Sequence, residues 1–269
     1  MSVLRTAGAI ALATIACSAS AQAPIDPLLI DGFESLRAMR IESLQLRDPH
    51  LFRDVFILGC LDATSVVNDA LAEQFATDGD GDGLLDRSPI QLFRGIRIDG
   101  VGQMRGIDGA CTAPAATTSC TASAAAIAAT TGYAGQAVGT CLASLPGTTR
   151  PYSPAVQPAI GPCFATASVD QTIDLGGGLV LPLQGTAFGA TVRENPTPGL
   201  SNGLMRGFVS EAVAATVVLP EEFGGGTLAS VLPGGVGSCA TGDDRDTLEG
   251  VSGWWFYFQY TASQVPYAE

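Results

Sequence analysis

The chain has 269 residues, 26 of them acidic and 13 basic, for a net charge of −13. Every basic residue is arginine, and so acidic a surface repels nucleic acid and anionic membranes. Apolar residues make up 46% of the chain, enough for a core, which excludes global disorder and suits one large β-rich domain or two small ones.

Residues 1–21 read as a secretory signal peptide. Arg5 is the single charge there, and Ala7 to Ala16 form a mostly apolar run too short to span a bilayer. Small-residue cleavage patterns follow at Ala19-Ser20-Ala21 and Ala21-Gln22-Ala23. Pro24 is a poor residue after a cut, so cleavage after Ala21 is expected. Cys17 offers a lipoprotein alternative, although Thr14-Ile15-Ala16 matches a lipobox only loosely. No later stretch of eighteen apolar residues appears, so no transmembrane segment is expected and the location is secreted or periplasmic. Losing Arg5 leaves 12 basic against 26 acidic residues, a mature net charge of −14. Residues 22–269 are expected to form a single secreted domain.

Ile30-Asp31-Gly32-Phe33-Glu34-Ser35 opens that domain. Met39–Leu46 follows and predicts a strand. Thr64–Phe75 predicts a helix: Val67, Leu71 and Phe75 recur every four residues, and Thr64 or Ser65 can cap the start. Next comes Asp78-Gly79-Asp80-Gly81-Asp82-Gly83-Leu84-Leu85-Asp86. Four carboxylates this close repel one another unless a cation sits among them, and a hard cation takes oxygen ligands from a flexible loop. Pro89 discourages a helix from starting after the loop, and Ile90, Leu92, Ile96 and Ile98 keep a two-residue period that Arg94 interrupts, so a strand is predicted.

The acidic stretch resembles the calcium loops of EF-hands, dockerins and thrombospondin type 3 repeats. The resemblance covers about a dozen residues and is silent on the rest of the chain. It implies Asp78, Asp80 and Asp82 at loop positions 1, 3 and 5, with Gly83 at the sharp turn of position 6. Leu84 would offer its carbonyl at position 7, Leu85 is the apolar position 8, and Asp86 acts at position 9. Position 12 is Pro89 where the pattern has a bidentate carboxylate, so another segment or water must complete the site. A helix–calcium loop–strand unit has no second helix to swing, which favours a structural Ca²⁺ over a calcium sensor.

Residues 108–161 are rich in Ala, Thr, Ser, Pro and Gly. They predict irregular loops with a short helix at Ala122–Thr130. Six cysteines remain after export: Cys60, Cys111, Cys120, Cys141, Cys163 and Cys239. An even number in an exported chain reads as disulfides, and the lack of any Cys-x-x-Cys pair argues against zinc. Proximity selects Cys111–Cys120, then Cys141–Cys163, leaving Cys60 for Cys239.

Beyond Cys163 the pattern turns to β structure. Ala167–Leu175 alternates in part, Gly176–Gly178 marks a turn, and Leu179–Leu183 and Ala187–Val192 continue the sheet. Gly207–Val209 and Ala214–Leu219 suit either helix or strand. Thr227–Leu232 suits a short helix, and Trp254–Thr261 is an aromatic strand.

Four further constellations bear on function. Asp243, Asp244 and Asp246 form a second acidic cluster, which either folds back to complete the calcium loop or is a turn neutralised by Arg245. Gly199-Leu200-Ser201-Asn202-Gly203 matches a nucleophile elbow, but no histidine follows Ser201 as that architecture requires. The only histidine, His50, reads as a loop residue bonded to a carboxylate such as Asp48. Glu34, Glu42, Glu194, Glu211, Glu221 and Glu222 are the glutamates available for glycoside hydrolysis. Of Trp254 and Trp255, adjacent on a strand, only one can reach a ligand.

The expected fold is mainly β with a minor helical part (α+β): an antiparallel sheet or sandwich, disulfide-bonded, with one helix–calcium loop–strand unit. The expected function is that of an exported, calcium-stabilised binding or structural protein that contacts a surface, a glycan or another protein. The alternatives are a secreted hydrolase using acidic residues near the metal, and a carrier for an apolar ligand.

Overall fold

The computed structural model describes residues 36–94, 96–124, 129–175, 179–194, 197–221 and 225–269. The signal segment, Cys17, the Gly176–Gly178 turn and Glu34 and Glu222 lie outside them. In chain order the strands are β1 (Leu36–Asp48), β2 (Phe52–Val55), β3 (Gly59–Asp62), β4 (Pro89–Arg94), β5 (Val101–Cys111), β6 (Cys120–Ala122), β7 (Ala129–Gln136), β8 (Thr140–Leu142), β9 (Ala159–Ile160), β10 (Cys163–Thr166), β11 (Val169–Asp174), β12 (Val180–Arg193), β13 (Gly199–Ser210), β14 (Asp246–Leu248), β15 (Val251–Val265) and β16 (Tyr267–Ala268). Helix α1 spans Thr64–Ala76 and the single-turn helix α2 spans Glu211–Ala214.

Eight of these strands close into a ring. Each of β1, β4, β5, β7, β10, β12, β13 and β15 pairs antiparallel with the next, and β15 returns to β1. The expected antiparallel sheet is therefore an up-and-down barrel, which leaves no open edge among these strands. Eight strands enclose a space that side chains can fill. Met39, Phe93, Met104, Tyr133, Phe164, Ala190, Met205 and Phe256 supply one buried residue from each ring strand to a single cluster. Phe93, Tyr133 and Phe164 meet edge to face, with ring centroids 5.1–5.7 Å apart, the arrangement that aromatic quadrupoles favour.

Outward-pointing residues alternate with these, as the two-residue period of a strand requires. Glu42, Gln103, Arg105 and Asp108 are exposed. A polar exterior around an apolar interior reverses the pattern of a barrel whose outer wall meets lipid. Where the outer face is apolar, the chain covers it. Leu142, Leu145 and Ala159 pad Leu204, Phe208, Trp255 and Tyr257, while Leu85 lies over Ile90, Leu92 and Ile107.

Helix α1 presses Val67, Leu71 and Phe75 into the main cluster, as their spacing predicts. Its expected cap is different. Neither Thr64 nor Ser65 caps it; the Thr64 hydroxyl accepts from Leu51 N at 2.9 Å, and Asp62 Oδ1 accepts from Thr64 N at 2.9 Å. Arg40, 1% exposed, donates through Nη2 to the carbonyl of Phe75 and so pins the helix's last turn to β1.

Three disulfides join Cys60–Cys239, Cys111–Cys120 and Cys141–Cys163, the pairing that proximity selects. Residues 108–161 are more regular than expected: they hold the end of β5 and all of β6, β7, β8 and β9. The helix expected at Ala122–Thr130 has strand at both ends, Ala122 in β6 and Ala129 and Thr130 in β7, and residues 125–128 lie outside the described set. Of Ala214–Leu219, Ala214 ends α2 and the rest is neither helix nor strand; it leaves through a turn and makes one isolated bridge, Val218 to Thr227.

Candidate metal centre

The loop between α1 and β4 wraps its backbone around its own carboxylates. Asp78 accepts from Gly81 N at 2.8 Å and from Gly83 N at 2.9 Å. Asp80 accepts from Asp82 N at 3.1 Å, and Asp82 from Leu84 N at 2.7 Å. Asp86 reaches back to accept from Gly79 N at 2.9 Å. Aspartate's short side chain favours such bonds two residues on. Gly81 and Gly83 take φ of 76° and 87°, which a residue with a Cβ resists. The Asp-Gly alternation serves both needs at once.

One oxygen from each of Asp78, Asp80 and Asp86 lies within 4.8 Å of the others. Two ligands of one Ca²⁺ stand at most about 5 Å apart, given metal–oxygen distances of about 2.3–2.6 Å. Asp82 does not belong to this group, but with Asp80, Leu84, Leu85 and Asp86 it lines a cleft of about 210 Å³. The facing wall is Gly109 and Ala110 of β5, and Ser123 just beyond β6. The three grouped donors are carboxylate oxygens, which suit a hard cation rather than zinc or copper. Pro89, at position 12, is a strand residue opposite Asp108 and offers no carboxylate.

The loop is tied on both flanks. Asp86 N donates to Thr77 O at 3.0 Å and Arg87 N to Gln74 O at 3.1 Å, at the helix end. Leu85 N donates to Cys111 O at 2.8 Å, and Ala113 N donates to Gly83 O at 2.9 Å, at the β5 end. A cation among these carboxylates thus bears on α1, on β4 and on the Cys111–Cys120 hairpin together.

Compared with protein-family models, with curated proteins and with solved structures, the chain has no match in any of the three.

Asp243, Asp244 and Asp246 do not join the loop. Asp243 is paired with Arg245, whose hydrogen bonds hold its carboxyl down to about 2, and Arg245 also binds Glu211 at 2.7 Å. Asp244 accepts from the Tyr152 hydroxyl at 2.5 Å and faces Arg150 Nε at 3.4 Å, while Asp246 lies 3.7 Å from Arg150 Nη2. Burial raises both carboxyls above the ordinary range, against the pull of Arg150. Asp48, 2% exposed, joins the same cluster by accepting from Arg150 N at 2.6 Å, and burial pushes it up to about 7. No local pattern in the sequence marks Arg150 as the centre of this cluster, because its partners come from two distant segments, at Asp48 and at Asp244 to Asp246.

His50 binds Asp62, not Asp48, with Nδ1 2.5 Å from Oδ2, and stacks on Tyr152 at 3.8 Å. Ser201 lies inside β13, which runs on through Gly203 without a helix, so the elbow geometry is absent there. Trp254 and Trp255 are both buried: the first donates to Pro233 O at 2.9 Å and the second packs on Phe208. Neither offers a sugar-stacking face. Glu42 bonds Ser263, Glu194 bonds Arg37 and Glu211 bonds Arg245, so these three glutamates have separate partners.

Proposed function

We propose that this is an exported β-barrel stapled by one structural Ca²⁺ in the Asp78–Asp86 loop, with a binding or structural role and no calcium switch. The convergence of one oxygen each from Asp78, Asp80 and Asp86 carries the reading. Asp82 and the carbonyl of Leu84 complete the loop's own donors, and water or the β5–β6 wall takes the place of the carboxylate absent at Pro89. The carrier reading is weakened by the side chains that occupy the interior, Met39, Phe93, Met104, Tyr133, Phe164 and Phe256 among them, all buried in one cluster.

Thermal melting tests the site. With a Kd of about 10⁻⁴ M, as in extracellular calcium modules, millimolar calcium adds about 1.4 kcal/mol. That corresponds to a rise in Tm of about 3–6 °C for a chain of this size. Magnesium should do much less, since it demands tighter octahedral geometry and keeps its waters. Asp80→Ala and Asp86→Ala should each remove the calcium effect while folding in EGTA as the wild type does. Identical melting in EGTA, calcium and magnesium would mean that the acidic loop is only a solvated turn.

A further inference from the structure

The β2–β3 hairpin stands out from the barrel. All four residues of β3 are exposed, and the tip carries Phe56, Ile57 and Leu58 at 100%, 87% and 67% exposure. Three consecutive large apolar residues in water are unusual on a monomeric protein, and a contiguous patch of this kind marks an interaction site. We propose that this tip is a wedge that inserts into the interface of a neutral, zwitterionic lipid surface. The proposal does not depend on calcium binding.

Three observations select lipid over a protein partner. The first is area. Three such side chains present about 500 Å² of apolar surface, well short of the roughly 800 Å² per partner of a stable protein interface. The second is direction. Residues around a tight turn splay to different sides, so a flat protein surface meets one or two of them, whereas a fluid acyl layer receives all three. The third is depth and charge. Leu58 N donates to Val55 O at 2.7 Å and closes the turn, so the tip at Ile57 stands about 5–7 Å beyond Asp54. It therefore reaches the 5–10 Å depth of interfacial insertion before Asp54 meets the headgroups. Arg53 and Asp54 then lie at headgroup level, one charge of each sign, which matches a phosphate beside an ammonium group. The chain's net charge of −13 opposes approach to anionic lipid.

The hairpin is also held in advance of binding. Phe52 N donates to Val231 O at 2.7 Å at its base, and Cys60–Cys239 ties β3 to the segment after Val236. A braced wedge loses little conformational freedom on insertion, so more of its burial appears as affinity.

Flotation of the full chain with vesicles of pure phosphatidylcholine, and of phosphatidylcholine mixed with phosphatidylglycerol, tests this. The wild type should float with the neutral vesicles and less with the anionic ones. Phe56→Ser/Ile57→Ser should lower binding to neutral vesicles at least tenfold, since burying one such side chain is worth about a factor of ten. Its melting temperature should be unchanged, because neither side chain packs on the barrel. Both proteins carry the same N-terminus, so the difference reports the tip alone. No binding by the wild type, or equal binding by the double variant, overturns the proposal. So does self-association in solution that the double variant abolishes, since that gives the tip to a second copy of the chain.

Discussion

Asp244 and Asp246 face one guanidinium, that of Arg150, and Asp48 accepts from the backbone N–H of the same residue. One guanidinium cannot balance three carboxylates, two of them buried, so protons are retained in the cluster. Burial is the main cause for Asp48, raising it from 3.8 to about 7, with Asp244 and Asp246 adding repulsion. A carboxyl whose folded value is raised binds more protons in the native state than in the unfolded chain. Its contribution to stability is therefore fully present below about pH 4 and is lost as the pH rises through about 7. The loss across that window is on the order of a few kcal/mol. Asp48→Asn keeps an acceptor for Arg150 N but cannot titrate. The variant should flatten the fall in stability between pH 5 and pH 8, and it should match or exceed the wild type at pH 8. Urea melts at several pH values measure this, and parallel pH profiles for the two proteins would show that Asp48 is ionised throughout.

At the scale of elements, the Asp78–Asp86 loop leans on the β5–β6 hairpin, whose Gly109, Ala110 and Ser123 form the far wall of its cleft. The Cys111–Cys120 disulfide fixes that wall, with Cα atoms 4.1 Å apart across the pair. A bridge closing so short a loop stabilises by about 2–3 kcal/mol. Cys111→Ser/Cys120→Ser should therefore lower Tm and also weaken calcium binding severalfold in titration calorimetry. The double variant of Cys60 and Cys239, at the hairpin remote from the loop, should leave calcium affinity alone. Equal calcium affinity in all three proteins would place the wall outside the site. The sequence makes this loop, helix α1 and strand β15 legible, because each rests on a local pattern: alternating Asp and Gly, burial every fourth residue, or a run of aromatics. The wall was not legible. Gly109 and Ala110 carry no side-chain chemistry, and Ser123 comes near through the β5–β6 ladder and the bond from its N–H to Asp108 O at 3.0 Å. Strand β7 was missed for a similar reason. Ala129-Thr130-Thr131-Gly132-Tyr133-Ala134-Gly135-Gln136 reads as loop composition, and its strand character comes from neighbours on both sides. The Phe56–Leu58 tip sits between two short strands whose exposed residues show no period, so nothing local set it apart.

At the scale of the whole molecule, closure is the property that no local reading could reach. The sheet expected from alternation becomes a barrel only because β7 pairs with both β10 and β5, and β15 with both β13 and β1. The pairing of β15 with β1 joins segments more than two hundred residues apart, and close approach of backbones at such seams requires small residues. Gly135 on β7 is one of them. Its N–H donates to Gly100 O at 2.7 Å, and a Cβ built on it would stand 2.0 Å from the carbonyl oxygen of Arg97. That neighbour is backbone, so the turn after β4 must move to admit a methyl group. Gly106, on β5 in the same strand pair, has no neighbour closer than 4.0 Å to its own Cβ position. Gly135→Ala should therefore cost about 1–3 kcal/mol through overpacking and lower Tm by several degrees. Gly106→Ala, in the same seam but with room for the methyl, should melt close to the wild type. The contrast isolates closure from the general cost of losing a glycine. If Gly135→Ala melts with the wild type while Gly106→Ala does not, the seam between β5 and β7 is packed in some other register.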